Sequence, residues 1–289
     1  MKIKDILSGG RIIVSCELFP PKYDLSVETV LPAARGIAAL SPDFMSVTYG
    51  AGGGTSKNTL KIASHIENDL GVTALAHLSC VSSTKDEISE ILRDMKSTSI
   101  RNILALRGDL PQDSAFPSPG HYRYASELIE EIKAAGDFCV GAACYPEGHP
   151  ESPSTEEDII NLKRKVDSGC DFLTTQFFFD NNVLYSFLYR ALAKNINVPV
   201  LAGIMPVMNG AQIKRMCLLS GASLPPRFKA IIDKFGDNPP AMKQAGIVYA
   251  TEQIVDLIAN GIKGIHIYTM NKPDIAGSII NNISEILGR

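Results

Sequence analysis

The chain has 289 residues, a formal net charge of −3 and 45% hydrophobic residues. That composition excludes global disorder and gives no general attraction to nucleic acid or anionic lipid. The length is too great for one sandwich and suits one eight-fold barrel. The start, Met1-Lys-Ile-Lys-Asp5, carries no apolar signal region, and no apolar run is long enough to span a bilayer. A cytoplasmic protein with no membrane span and no nucleic-acid partner is expected. The six cysteines form no C-x-x-C pair, so reduced thiols are expected, and no zinc or iron–sulfur site within the chain.

Strand and helix patterns alternate throughout. Arg11–Leu18 reads as an apolar strand closed by Pro20-Pro21, Val27–Leu40 as a helix, and Phe44–Tyr49 as a strand running into Gly50-Ala-Gly-Gly-Gly54. Lys57–Leu70 is a predicted helix and Val72–Leu78 the third strand. Thr84-x-x-Glu87 is a capping box, with Ile88, Ile91, Leu92 and Met95 at helical spacing behind it. The fourth strand, around Ile103-Leu-Ala-Leu106, is a continuous apolar run of the kind buried on both faces in parallel sheets. It delivers Arg107 and Asp109 on either side of Gly108. Such a charged strand end suits a barrel site, although an exposed Arg-Gly-Asp also fits a plain turn.

A loop rich in Pro, Ser and Gly runs to His121, and Ala125, Leu128, Ile129 and Ile132 mark the next helix. Phe138–Ala143 is strand five. Ser154-x-x-Glu157 caps a helix with Ile159, Ile160, Leu162 and Val166 on its apolar side, stopped at Gly169. Phe172–Phe178 is strand six, Asn182–Ala193 a helix, Val198–Ile204 strand seven and Gln212–Leu219 a helix. Ala222–Pro240 reads as an insertion with prolines. Met242–Asn260, Gly264–Tyr268 and Ile275–Leu287 complete the chain as helix, strand and helix. The expected fold is α/β, a single (β/α)8 TIM barrel over residues 1–289.

The C-terminal strand ends carry Glu17, Thr48-Tyr49, His77, Arg107-Gly108-Asp109, Tyr145, Gln176 and Tyr268 through Lys272. In a barrel these converge on one mouth. Singly, His77 fits a core histidine, Glu17 a surface charge and Tyr145 a rim aromatic; their convergence is what those readings leave unexplained. No phosphate-binding P-loop occurs, and the Gly50–Gly54 run does not fit the Rossmann fingerprint; a mobile loop over the mouth is the expectation for it. Asp158, Asn161 and Lys165 lie at i, i+3 and i+7 with Arg164 beside them. That polar stripe fits a solvated helix face or a site for a ribityl chain or a phosphate.

Several blocks, in order, resemble the methylenetetrahydrofolate reductase family. They include Cys16-Glu-Leu-Phe-Pro-Pro-Lys22, Val47-Thr-Tyr-Gly50, Ala76-His-Leu-Ser79, Leu104-Ala-Leu-Arg-Gly-Asp-Leu-Pro111 and Ala143-Cys-Tyr-Pro-Glu-Gly-His-Pro150. Asn161-Leu-Lys-Arg-Lys165, Thr175-Gln-Phe-Phe-Phe-Asp180, Gly203-Ile-Met-Pro206 and His266-Ile-Tyr-Thr-Met-Asn271 follow. The resemblance covers nearly the whole chain and implies the catalytic barrel alone, as in the bacterial form. It implies FAD held by Thr48, Tyr49, His77, Arg107, Gly108, Asp109, Tyr124, Ala125, Tyr145, His149, Asp158, Asn161, Arg164 and Lys165. It also implies 5,10-methylenetetrahydrofolate bound by Glu17, Asp109, Gln176, Gln212 and Lys272, with Glu17 and Asp109 as catalytic groups.

In this family Glu17 would be the acid that opens the methylene-folate ring at N10, and no metal is implied. NADH or NADPH would reduce the flavin in one-carbon metabolism that feeds methionine biosynthesis, in a homo- or hetero-oligomer. Two departures stand out. Lys272 replaces the usual arginine, losing bidentate binding of the folate glutamate. Met216 stands where bacterial relatives often have phenylalanine, so reduction by nicotinamide alone is expected to be poor and a protein electron donor is expected instead. A flavin-free pterin-binding methyltransferase barrel, or a subunit fed by an iron–sulfur protein, are the alternative readings.

Overall fold

Eight strands pair in chain order, all parallel: β1 (Ile13–Leu18), β2 (Phe44–Val47), β3 (Ala74–Ser79), β4 (Asn102–Leu106), β5 (Cys139–Cys144), β6 (Phe172–Thr175), β7 (Val200–Ile204) and β8 (Gly264–Tyr268). β8 closes on β1, with Val14 opposite Ile265 and Glu17 opposite Tyr268, so the expected (β/α)8 barrel is formed. The computed structural model describes residues 1–21, 25–49, 56–81, 83–109 and 120–288. The Gly50–Gly54 run and most of the loop before His121 lie outside them.

Strand alternation sorts the side chains into two shells. Val14, Cys16 and Leu18, with Ile103, Ala105, Ile265, Ile267 and their counterparts on the other strands, pack outward against the helices. The inward floor is apolar: Ile13, Phe44, Leu75, Leu104, Phe172 and Leu201 meet the short helix α1 (Ile3–Leu7), which plugs the barrel from below. Asn102 pins that plug, accepting from the Ile3 amide at 2.8 Å and donating to the Met1 and Ala74 carbonyls at 3.0 and 3.1 Å. One layer above, the interior turns polar, with Ser15, Ser46, His77 and His266 all buried.

The outer helices are α2 (Leu31–Ala38), α3 (Ser56–Ser64), α4 (Lys85–Ser97), α5 (Ala125–Ala135), α6 (Thr155–Asp167), α7 (Asn181–Ala193), α8 (Gly210–Ser220), α9 (Pro226–Phe235), α10 (Pro239–Ala259), α11 (Pro273–Asn282) and α12 (Ser284–Leu287). The capping box at Thr84 forms in full, and Ser154 caps α6 through the Glu157 amide.

Several boundaries depart from the sequence reading. The expected helix at Val27–Leu40 begins as a 3-10 turn over Val27–Thr29, and α2 starts afresh with Pro32 in its first turn, where a missing N–H costs nothing. The expected helix to Leu70 ends in a π turn, His65–Asp69. The stretch read as an insertion contains α9, started by Pro226 and anchored by buried Phe228 and Ile232. β6 stops at Thr175, although apolar residues continue, because Phe177 and Phe179 leave the sheet to pack with Phe228, Met205 and Tyr249 in a separate cluster.

Candidate active site

The β1 tip is held from the neighbouring strand. After β8, Met270 and Asn271 both take left-handed backbone conformations, φ 53° and 56°, uncommon for non-glycine residues. The turn they make lets the Asn271 amide side chain accept from the Phe19 amide at 2.8 Å and donate to its carbonyl at 2.9 Å. The Thr269 hydroxyl donates to the Glu17 carbonyl at 2.6 Å. Glu17 therefore has a fixed backbone and points into the polar layer of the barrel, where it is only 5% exposed. Its Oε2 lies 3.6 Å from His266 Nε2 and 3.7 Å from His77 Nε2. Burial outweighs the neighbouring carboxylate at His77 and pushes its pKa down to about 4, so the ring is neutral at pH 7. Tyr268, opposite Glu17, packs over Gly203, where a Cβ would meet its ring at 2.7 Å, and donates its hydroxyl to the Thr175 carbonyl at 2.6 Å. Burial and the Glu17 charge hold that phenol well above its ordinary range.

Beside this cluster a cleft of about 1160 Å³ opens over the ends of β3, β4 and β5 and is walled by α5 and α6. It is lined by Tyr49, Arg107, Gly108, Asp109, Tyr124, Ala125, Tyr145, His149, Asp158, Asn161, Arg164 and Lys165, so most of the residues expected to hold a cofactor meet around one space. Gly108 has φ +88°, and a Cβ there would fall 2.1 Å from Ser79 Oγ, which itself donates to the Arg107 carbonyl at 2.9 Å. Only glycine fits a turn drawn that close. Tyr145 and His149 meet edge-on at 4.6 Å, and burial pushes the Tyr145 phenol up to about 12. On α6, Lys165 donates to the Ala143 carbonyl at 2.7 Å and Arg164 to Asn161 Oδ1 at 2.7 Å. Burial lowers the Lys165 pKa from its ordinary value and raises that of Asp158.

The remaining expected site residues lie outside the cleft lining. Thr48 is half-buried, its carbonyl accepting from Thr59 at 2.9 Å, and Gln176 accepts from the Phe177 amide at 3.0 Å. Gln212, in the first turn of α8, and Lys272, the residue before α11, are exposed. Met216 is half-buried against the Phe177–Phe228 cluster.

Two residues were not singled out as site groups from the sequence. Glu151 forms a two-pronged ion pair with Arg107 at 2.6 and 2.7 Å, which lowers the carboxyl pKa and raises that of the guanidinium. His266 is buried between Ser15 and Glu17. Its signal was an imidazole at an inward position of an otherwise apolar strand, Gly264-Ile-His-Ile-Tyr268. Among the described residues no cluster of three or more histidine, cysteine or acidic side chains is arranged to hold a metal ion, and no helix is long and apolar enough to cross a membrane.

The sequence model described as methylenetetrahydrofolate reductase matches residues 2–284. The chain is 36% identical, over 95% of its length and 91% of the relative's, to the 5,10-methylenetetrahydrofolate reductase of Pectobacterium carotovorum subsp. carotovorum. It is 35% identical over 99% of its length, and 50% of the relative's, to methylenetetrahydrofolate reductase (NADH) 1 of Arabidopsis thaliana. Among solved structures, an uncharacterized protein from Clostridium thermocellum, described as binding two copies of 5-methyl-5,6,7,8-tetrahydrofolic acid, superposes with a TM-score of 0.67. That match covers 100% of this chain and 99% of the other at 17% identity, a likeness of fold. This chain belongs to the methylenetetrahydrofolate reductase family.

Proposed function

We propose that this chain reduces 5,10-methylenetetrahydrofolate to 5-methyltetrahydrofolate, using electrons carried by a non-covalently bound FAD. The observation that carries the reading is the adjacency of a large cleft bearing cations to a buried carboxyl at the mouth of one barrel. The donor set fits a flavin dinucleotide. Arg107, Arg164 and Lys165 supply positive charge for a diphosphate, Asp158 and Asn161 suit hydroxyl groups, and Gly108 permits close backbone approach. FAD, when bound, supplies the hydride chemistry that no side chain provides.

The chain's own residues do the rest. Ring opening of the substrate needs a proton at N10, and Glu17 gives it: its O–H bond breaks, an N10–H bond forms, and the carboxyl is left as a carboxylate. Asp109 orients the pterin, and Gln176, Gln212 and Lys272 hold the folate. Lys272 meets the glutamate tail as a point charge rather than a two-pronged fork. Thr269 and the Asn271 clamp hold the backbone that carries Glu17, so that the proton is delivered from one direction. The electrons come from NADH or NADPH or from a protein donor.

The visible spectrum of the purified protein tests the reading. It should be yellow, with FAD released by acid or heat. A protein that shows no flavin absorbance after refolding with excess FAD refutes it and favours a flavin-free, pterin-binding barrel.

A further inference from the structure

Below Glu17 runs a short chain of polar groups. The Ser15 hydroxyl is 2.8 Å from His266 Nδ1 and 3.2 Å from the Ile265 carbonyl, and His266 Nε2 is 3.5 Å from Ser46 Oγ and 3.6 Å from Glu17 Oε2. Ser15 has one proton to give. If it goes to the carbonyl, Nδ1 must carry a proton and Nε2 is bare, so the Glu17 carboxyl is the group that can supply hydrogen to the gap. If it goes to Nδ1, Nε2 carries the proton and faces a carboxylate. Only the first arrangement suits an acid: the carboxyl keeps an O–H to give, and the bare Nε2 lies 3.6 Å from Oε2 to orient it. His77 faces the same oxygen at 3.7 Å, and its buried Nε2 has no hydrogen-bond partner among the described residues. The ring of His266 is itself held, stacked on Phe44 at 6.4 Å and edge-on to Tyr268 at 5.2 Å.

We propose that His266 is the positioning residue of Glu17: its Nε2, 3.6 Å from Oε2, faces the carboxyl and fixes which way it is turned toward folate N10. This rests on the folate-reducing reading above and deepens it. In each turnover the Glu17 O–H breaks and an N10–H forms, leaving the carboxylate, and one proton from water at the mouth restores the carboxyl. The titratable groups facing it are Glu17 on β1, His77 on β3 and Tyr268 on β8, with the neutral hydroxyls of Ser15 and Ser46 on β1 and β2.

Two measurements test this. In the first, dithionite-reduced holoprotein is mixed with methylenetetrahydrofolate across a pH series, which isolates the folate step from any nicotinamide. His266→Asn should slow flavin reoxidation roughly tenfold or more, short of the loss of the acid itself, and change the shape of its pH profile. His266→Gln, whose longer side chain carries the same non-titrating amide nearer the Nε2 position, should leave the pH profile altered as well. A wild-type pH profile in both variants overturns the proposal.

The second measurement records the imidazole nitrogen resonances of 15N-histidine-labelled protein, with and without Glu17→Gln. The His266 Nε2 resonance should move in the variant, and an unmoved resonance overturns the pairing even where the His266 variants fail to fold. If wild-type protein never reoxidises with methylenetetrahydrofolate while the resonance still moves, the proposed reaction fails and the Glu17–His266 pairing stands.

Discussion

On the β3–β5 side of the mouth, Arg107, Arg164 and Lys165 border an open cleft, with Glu151 and Asp158 set against them. On the β8–β1 side, one carboxyl sits nearly dry among two imidazoles and a phenol. Both sides are strand ends of the same barrel, and the difference lies in burial. At the cleft Arg107 is paired with Glu151 and Arg164 is exposed, so these groups suit the reversible capture of a large anion, and Arg107 must exchange Glu151 for any phosphate that claims it. At Glu17 solvent is excluded, so a single proton changes the energy of every neighbour. In the proposed reaction the first side holds the cofactor and the second moves a proton.

The largest expected effect breaks the proton side alone. Glu17→Gln keeps size and removes the acid, so reoxidation of the reduced flavin by methylenetetrahydrofolate should fall about a hundredfold or more. Stopped-flow traces of the two half-reactions check this. Loss of flavin reduction by the electron donor, with the folate half-reaction intact, would instead make Glu17 a flavin or structural residue.

Next comes the cofactor side. Lys165→Met keeps the half-buried stem but removes the charge and the bond to the Ala143 carbonyl. FAD affinity should drop roughly ten- to a hundredfold, the scale of a charged hydrogen bond of about 1.5–3 kcal/mol. Fluorescence titration of the apoprotein measures it. Unchanged affinity would remove Lys165 from the cofactor's partners.

A pH series sharpens the contrast in solvation. Burial holds His77 at about 4 in the folded chain against an ordinary value of 6.5. The unfolded chain therefore binds more protons between these values, and stability falls as pH drops through the window. The contribution of His77 is complete above about 6.5 and lost by about 4. In His77→Gln the melting temperature should vary less with pH over that range; an identical slope in both proteins would show that His77 is not buried neutral.

The smallest effect concerns the electron donor. Met216→Phe offers a flat ring where a thioether now packs, and aromatic stacking of about 0.5–1.5 kcal/mol predicts a two- to tenfold faster flavin reduction by NADH or NADPH. Anaerobic mixing followed at the flavin band measures this. Fast, complete bleaching of the wild-type chain by either nicotinamide would contradict the expected need for a protein donor.

Much of this was readable in advance because strand alternation and helix period are local signals. The apolar run at Ile103–Leu106 and the capping boxes at Thr84 and Ser154 needed no tertiary information. The polar stripe of α6 was ambiguous between a wet surface and a site, and only the fold brought it to Arg107, Tyr145 and His149. Helices α1 and α9 were hidden for different reasons. Five residues give too little periodicity to see α1, and Pro225-Pro226 reads as a breaker until the chain is seen to use Pro226 as a helix start. The Glu17–His266 contact joins residues at opposite ends of the sequence, and it exists because β8 closes on β1. Glu151 escaped notice because nothing in a loop sequence says which arginine a carboxylate will meet.

A single-turnover experiment tests most directly whether the two sides of the mouth serve one reaction. Wild-type protein loaded with FAD, reduced with dithionite and mixed anaerobically with methylenetetrahydrofolate should regain its oxidised flavin band and yield one 5-methyltetrahydrofolate per flavin. A flavin that binds and is reduced, yet stays reduced with no methyl product, would contradict the claim that the two sides of this mouth serve one reaction.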